Sequence, residues 1–185
     1  MAAIESAMLA LGTSAPAFSL KDVRDGKLHS ADSLSGPKGL LVMFICAHCP
    51  FVKHVQQELA KLGRDYQQSG IGIVAISSND ADNYPDDAPA GLAEQARKLD
   101  FVFPYLYDET QEAARAYDAT CTPDFFLFDA QRKLAYRGQL DGSRPGNGTP
   151  VTGKDLRAAM DSVIAGSPVS QNQQPSIGCN IKWKR

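Results

Sequence analysis

Residues 39–63, GLLVMFICAHCPFVKHVQQELAKLG, run an apolar strand directly into two cysteines, a proline and an amphipathic helix, which leaves the chain few ways to fold around them. Leu40 to Ile45 form an unbroken apolar run of strand length, the pattern of a strand covered on both faces of a sheet. Val52, Val55, Leu59, Leu62 and Tyr66 then recur at helical spacing, so one face of the next element is apolar. Cys46, Ala47, His48, Cys49 and Pro50 lie at the junction.

Pro50 assigns roles to the two thiols. Proline lacks an N–H and suits the first helical position, which places the helix start at Pro50 and makes Cys49 its N-cap. There the free backbone N–H groups and the positive end of the helix dipole favour an anion, so the Cys49 thiol is expected to ionise readily and act as nucleophile. Cys46, three residues earlier, can attack a mixed disulfide formed on Cys49 and release the product. The pair can then cycle between dithiol and disulfide.

Other readings use the same residues. A CxxC pair also nucleates zinc sites, but those need a second ligand pair, and the chain offers only scattered Cys121, Cys179, His48 and His54. Buried cysteines can be inert packing residues. His48, Lys53 and His54 read as solvated; placed near Cys49, their positive charge would lower its pKa further. No cofactor and no metal are expected.

At 185 residues the chain has the length to bury a core without disulfides. Four cysteines are too few for a secreted disulfide scaffold, which favours a catalytic or metal role. A net charge of -2 provides no basic face for nucleic acid. The opening MAAIESAMLALG lacks the pattern of a signal peptide, and no stretch reaches membrane-spanning length. The expected setting is the reducing cytoplasm, with no nucleic-acid or membrane partner.

Along the chain, residues 15–36 read as two short strands around Asp25-Gly26. Gly70 is the expected cap ending the long helix, and residues 71–78 a second buried strand, giving a βαβ unit. Residues 79–91, rich in Asp and Pro, read as a solvated surface loop. A helix over 92–101 and a strand at PYLYD follow, and Asp108 with Gln111 reads as a capping box for the next helix. Residues 122–129 and 133–141 pair as an antiparallel hairpin, and Thr152 is the expected N-cap of a last helix over 154–166. Ile177, Cys179, Ile181 and Trp183 alternate with Gly178, Asn180, Lys182 and Lys184, so the tail is expected to pack one side on the body. The division expected is a domain over 1–168 and a tail over 169–185.

This order of elements, with Thr122-Pro123 before a strand, resembles a thioredoxin-fold redoxin across nearly the whole chain. GTSAPAF, FICAHCPFVKH, FPYLYDET, CTPDFFLFD, YRGQLDGSR and IGCNIKWK resemble, more narrowly, a peroxiredoxin-like subgroup of thioredoxin-family proteins. The resemblance implies a thioredoxin-like three-layer α/β sandwich with a central mixed sheet, an N-terminal hairpin extension and a C-terminal tail. It implies that Pro123 is cis and that Thr122 and Pro123 shape the substrate groove opposite the dithiol.

The resemblance also has gaps. Cys49 falls where thioredoxin has its attacking cysteine, and Val52 where it has the second, so this CxxC is shifted one turn upstream. Thioredoxin's buried acid falls at Met43. In peroxiredoxins a Thr or Ser precedes the peroxidatic cysteine by three residues; here Cys46 holds that place, and Pro123 falls where the arginine completes the site. The expected function is a thiol-disulfide oxidoreductase in which Cys49 attacks and Cys46 resolves. Its expected partners are protein or small-molecule thiols and disulfides and a reductant the sequence does not name; nor does it give the oligomeric state. The alternatives are a weak thiol-dependent, antioxidant peroxidase acting on peroxide, or a non-enzymatic redox-sensing or metal-binding module. Cys121 is expected near the dithiol. Cys179 is expected either to anchor the tail by packing or to dock as a second resolving thiol, much as a C-terminal cysteine does in two-cysteine peroxiredoxins.

Overall fold

The apolar run at 40–45 becomes the centre of the molecule because its odd and even residues feed two different cores. The structure is a computed structural model that describes residues 3–185. Met1 and Ala2, which open both the stretch read for a signal peptide and the expected 1–168 domain, lie outside the described residues. A seven-stranded mixed sheet contains β2 (Ser19–Asp22), β3 (Leu28–Ser30), β4 (Gly39–Phe44), β5 (Ile71–Ser77), β6 (Tyr105–Tyr107), β8 (Asp124–Phe128) and β9 (Leu134–Gly138). Its order is β3-β2-β6-β5-β4-β8-β9. A three-stranded sheet, β1-β10-β7, joins β1 (Ala3–Glu5), β10 (Ile177–Asn180) and β7 (Cys121–Thr122).

Strand β4 pairs in parallel with β5 and antiparallel with β8, so it lies inside the sheet with both edges satisfied. Leu41, Met43 and Ile45 enter one core with α2 (Pro50–Tyr66), α3 (Pro89–Leu99) and α5 (Lys154–Ala165). Leu40, Val42 and Phe44 enter the other, with Ala31 of α1 (Ala31–Leu34) and Ala113 and Ala114 of α4 (Glu112–Ala116). This is the expected three-layer thioredoxin-like sandwich with a mixed sheet. Each such apolar side chain, fully hidden, contributes about 1.5–3 kcal/mol. No described helix is long and apolar enough to cross a membrane.

Several local expectations are corrected. Helix α2 stops at Tyr66 with Gln67 as C-cap, and Gly70 instead takes a φ of 89° in the turn entering β5. Asp108 and Gln111 form no capping box: Gln111 is itself the N-cap of α4. The Gln111 amide donates to the Ser78 and Lys182 carbonyls, while Asp108 accepts from Ser78 Oγ and the Ala114 amide. The N-cap of α5 is Gly153 rather than Thr152, because buried Asp141 accepts from both of their amides and fixes the entry to the helix. In the tail, Lys182 is buried and Trp183 is exposed, the reverse of the expected alternation, as the chain leaves β10 and the Lys182 backbone bonds to Asn79 and Asp80. The N-terminal strand β1, which no pattern in the sequence marks, pairs with this tail.

Candidate active site

Pro50 does open helix α2, and Cys49 is its N-cap with extended backbone, φ -67° and ψ 126°. The turn from Cys46 to Cys49 leaves the sheet after Ile45, whose amide donates to the Ile76 carbonyl. What holds this turn comes from a segment expected to be solvated. Asp87, in a short 3-10 turn at Pro85–Asp87, is completely buried. Its Oδ1 accepts from the Ala47 amide at 2.7 Å and the His48 amide at 3.0 Å. Its Oδ2 accepts from Asn79 Nδ2 at 2.8 Å and pairs with His48 Nδ1. Burial opposes the charge of Asp87, yet the bonds from His48 and Asn79 hold its carboxyl below the usual carboxylate range. The 79–91 loop is therefore no solvated ornament. One of its aspartates turns inward because four donors wait for it.

The His48 ring stacks on Tyr84 with centroids 5.1 Å apart. Gln95 of α3 donates to the Cys46 carbonyl and accepts from the Tyr105 hydroxyl. Opposite the dithiol, the Thr122-Pro123 bond is cis. The Thr122 hydroxyl lies 3.4 Å from Cys46 Sγ, and as a thiol Cys49 donates to the Thr122 carbonyl at 3.3 Å. Cys179 Sγ lies 2.7 Å from Cys49 Sγ. Cys46, Cys49, Thr122 and Cys179 thus meet, all buried and with every cysteine reduced. Cys121 lies near enough for Cys49 and Cys179 to act on its charge, but its Sγ donates to the Pro123 carbonyl, and burial above all pushes its pKa up.

The thiols titrate unequally. The Cys46 hydrogen bond to Cys49 outweighs burial and, with help from Cys179, the Val52 amide and Thr122, brings the Cys49 pKa from 9.0 down to about 4. Burial first, then Cys49 and the Asp87 charge, raise Cys46 well above its ordinary value. Burial and Cys49 push Cys179 up to about 12. Cys49 is therefore the thiolate and its two neighbours are the proton-bearing thiols. The leading cause is the Cys46 thiol, with the helix-terminal Val52 amide a smaller contributor. His54 is spent on Ser143 Oγ and His48 on Asp87, and neither figures among the causes of the low Cys49 pKa.

For a metal ion, the donors close enough to share one include Cys46, His48 and Asp87, all within 4.8 Å, a set different from the scattered candidates of the sequence. The Asp87 oxygens and His48 Nδ1 in this group are already engaged with each other, with Asn79 and with backbone amides. They fix the turn.

The AhpC/TSA pattern matches residues 11–137, more than half of the chain, and takes in Cys46, Cys49, Thr122 and Pro123. The chain belongs to the AhpC/TSA family. The chain is 25% identical over 130 residues to the thiol-disulfide oxidoreductase ResA of Geobacillus thermodenitrificans, covering 70% of each protein. Two crystal structures are similar over almost the full length. One, an uncharacterized conserved protein of Geobacillus kaustophilus, is 55% identical with a TM-score of 0.98, covering 100% of this chain and 97% of that one. The other, a hypothetical protein of Sinorhizobium meliloti, is 47% identical with a TM-score of 0.95, covering 97% and 98%. Cys179 lies beyond the matched AhpC/TSA segment but inside the full-length likeness to the Geobacillus kaustophilus protein.

Proposed function

We propose that this protein is a thiol-disulfide oxidoreductase in which the Cys49 thiolate attacks a disulfide and Cys46 closes the dithiol couple. The observation that carries this reading is Cys49 itself, an N-cap thiolate with a pKa of about 4 beside a protonated Cys46 and the Thr122-Pro123 turn. A thiolate of low pKa is also a good leaving group, so exchange runs readily in both directions. The likeness to ResA supports the same class of reaction. Disulfides and thiols are the substrates, and a separate reductant restores the dithiol. The cytoplasm, expected from cysteine content, is part of this proposal, and subcellular fractionation tests it. Turnover of a small disulfide with dithiothreitol checks the activity: Cys49→Ser abolishes it, whereas full turnover by that variant overturns the reading.

Membership of the AhpC/TSA family favours a second reading, a thiol-dependent peroxidase of antioxidant type. There Cys49 takes one oxygen from the peroxide to become a sulfenic acid, and Cys46 condenses with it, releasing water and leaving the disulfide. With Cys46 and Pro123 where the usual Thr and Arg would stand, missing donors slow the step by about 10² to 10³. Peroxide consumption approaching the diffusional ceiling would make peroxidase the first reading instead.

A further inference from the structure

Cys49 has two thiol neighbours, and the dithiol couple uses only one. The other arrives from 130 residues along the chain. Strand β10 lies between β1 and β7, with Cys179 opposite Ala3 on one side and Thr122 on the other. Before it, the Ser176 amide donates to Ser6 Oγ, the Ser6 amide to the Ser176 carbonyl, and Ser176 Oγ to the Pro123 carbonyl, all within 2.9 Å. After it, the Ile181 amide donates to the Thr120 carbonyl and the Lys182 amide to Asn79 Oδ1. Gly178 packs so closely on the Thr122 carbonyl that a Cβ would collide with backbone. The cavity between Phe51, Pro123, Ser176 and Ile177 holds about 10 Å³, no more than one water. Strand β10 therefore both covers Cys49 and presents a sulfur to it.

We propose that Cys179 is a third redox thiol of this site and that the first disulfide closed after Cys49 has reacted is Cys49–Cys179, made within one chain by strand β10. The inference rests on the oxidoreductase reading of Cys49. In the first step, the Cys49 thiolate attacks one sulfur of R–S–S–R′, forming Cys49–S–S–R and expelling R′–S⁻. In the second, Cys179 Sγ attacks Cys49 Sγ; the bond to R breaks, R–S leaves with the proton given up by Cys179, and the Cys49–Cys179 bond forms. In the third, Cys46 attacks Cys49 Sγ and gives its proton to the departing Cys179, which leaves the Cys46–Cys49 disulfide. Two electrons pass to the substrate, and the disulfide moves from the mouth of the site to its interior. The 2.7 Å approach and the strand pairing on both sides mean that the second step needs no rearrangement beyond the return of β10.

The full chain carrying Cys46→Ser, reduced and then treated with oxidised glutathione, is the deciding experiment. Expected is loss of two thiols, release of glutathione, and recovery of a Cys49–Cys179 cross-linked peptide by mass spectrometry. Stable glutathione on Cys49 with Cys179 free overturns the proposal, and because the tail is unaltered in this variant, misfolding of a Cys179 variant has no bearing on that result. Cys179→Ser, treated in the same way, is expected to close Cys46–Cys49 more slowly than the wild type. Closure at an unchanged rate counts against a first step through Cys179. If Cys179→Ser folds but closes no disulfide, the dithiol reading fails while the Cys49–Cys179 assignment stands on the Cys46→Ser result.

Discussion

Asp87 and Asp124 are both wholly removed from water, one beneath the CxxC turn and the other immediately after the cis proline, yet the pKa of the first is held below the usual carboxylate value and that of the second is pushed well above it. Asp87 has four donors on its two oxygens. Asp124 has the Phe125 amide at 3.1 Å and a bond from the Thr120 backbone, and its Oδ2 has no partner, so burial raises its pKa well above the ordinary value. Burial alone does not set the charge of a carboxyl group; the number of donors brought to it does. The region that must stay rigid around the nucleophile received the donors.

Removing Asp87 should produce the largest effect. Asp87→Ala leaves the Ala47 and His48 amides, the His48 ring and Asn79 without their acceptor, and each buried donor left unpaired costs about 1–3 kcal/mol. Urea unfolding measures the loss, and disulfide turnover should fall with it as the turn loosens. Because the Asp87 charge is one cause of the raised Cys46 pKa, that pKa should also drop in any folded fraction, and an unchanged Cys46 titration would show that the two groups do not communicate.

Gly178→Ala should come next, since the new Cβ meets the Thr122 carbonyl and forces β10 away, a strain of about 1–3 kcal/mol. Alkylation of Cys49 by iodoacetamide should accelerate. Equal alkylation rates in variant and wild type would mean that β10 does not guard the thiolate.

The two aspartates also predict opposite pH slopes. Asp87, depressed in the fold, contributes stability that is complete above the ordinary carboxylate pKa of 3.8 and is lost as pH falls through its lower folded value. Asp124, raised in the fold, contributes stability below 3.8 that is lost as pH rises towards its folded value. Asp124→Asn should therefore flatten the decline in urea midpoint at rising pH and leave the acid limb intact; a midpoint curve parallel to the wild type would place the titration elsewhere.

The smallest effect belongs to Asp65, 42% exposed at the surface and paired with Arg157 and Lys61. Asp65→Asn should change stability by less than about 1 kcal/mol, because exposed pairs are screened. A larger loss would say that charge pairing, rather than burial with donors, separates Asp87 from the rest.

These groups also show what a sequence displays and what it hides. The Leu40–Ile45 run and the α2 stripe were legible because each residue's burial follows from its own chemistry and spacing. The Cys49 cap was legible because Pro50 has one comfortable place in a helix. Asp87 was hidden: it sits in NDADNYPDDAPAG, where Asp80, Asp82, Asp86 and Asp87 look alike, and only the tertiary path of Ala47, His48 and Asn79 singles one out. Gly153 displaced Thr152 as a cap for a similar reason, since the deciding acceptor, Asp141, is eleven residues away from Thr152. The tail alternation correctly put Cys179 inside but could not say against which partner, because strand pairing with β1 and β7 is a non-local choice.

The three-stranded sheet that carries Cys179 makes chemical reactivity a gauge of local unfolding. Its strands are short, two to four residues each, and a small unit of this kind is where local opening begins. A reagent that must wait for that opening reacts at its intrinsic rate multiplied by the fraction of time the strand is away. Every increment of about 1.4 kcal/mol in docking free energy then slows Cys49 tenfold without altering the thiolate. Substitutions at residues outside the thiol cluster, at Ser6, Asn79 or Gln111, become settings of the enzyme's tempo through their bonds to residues beside β10.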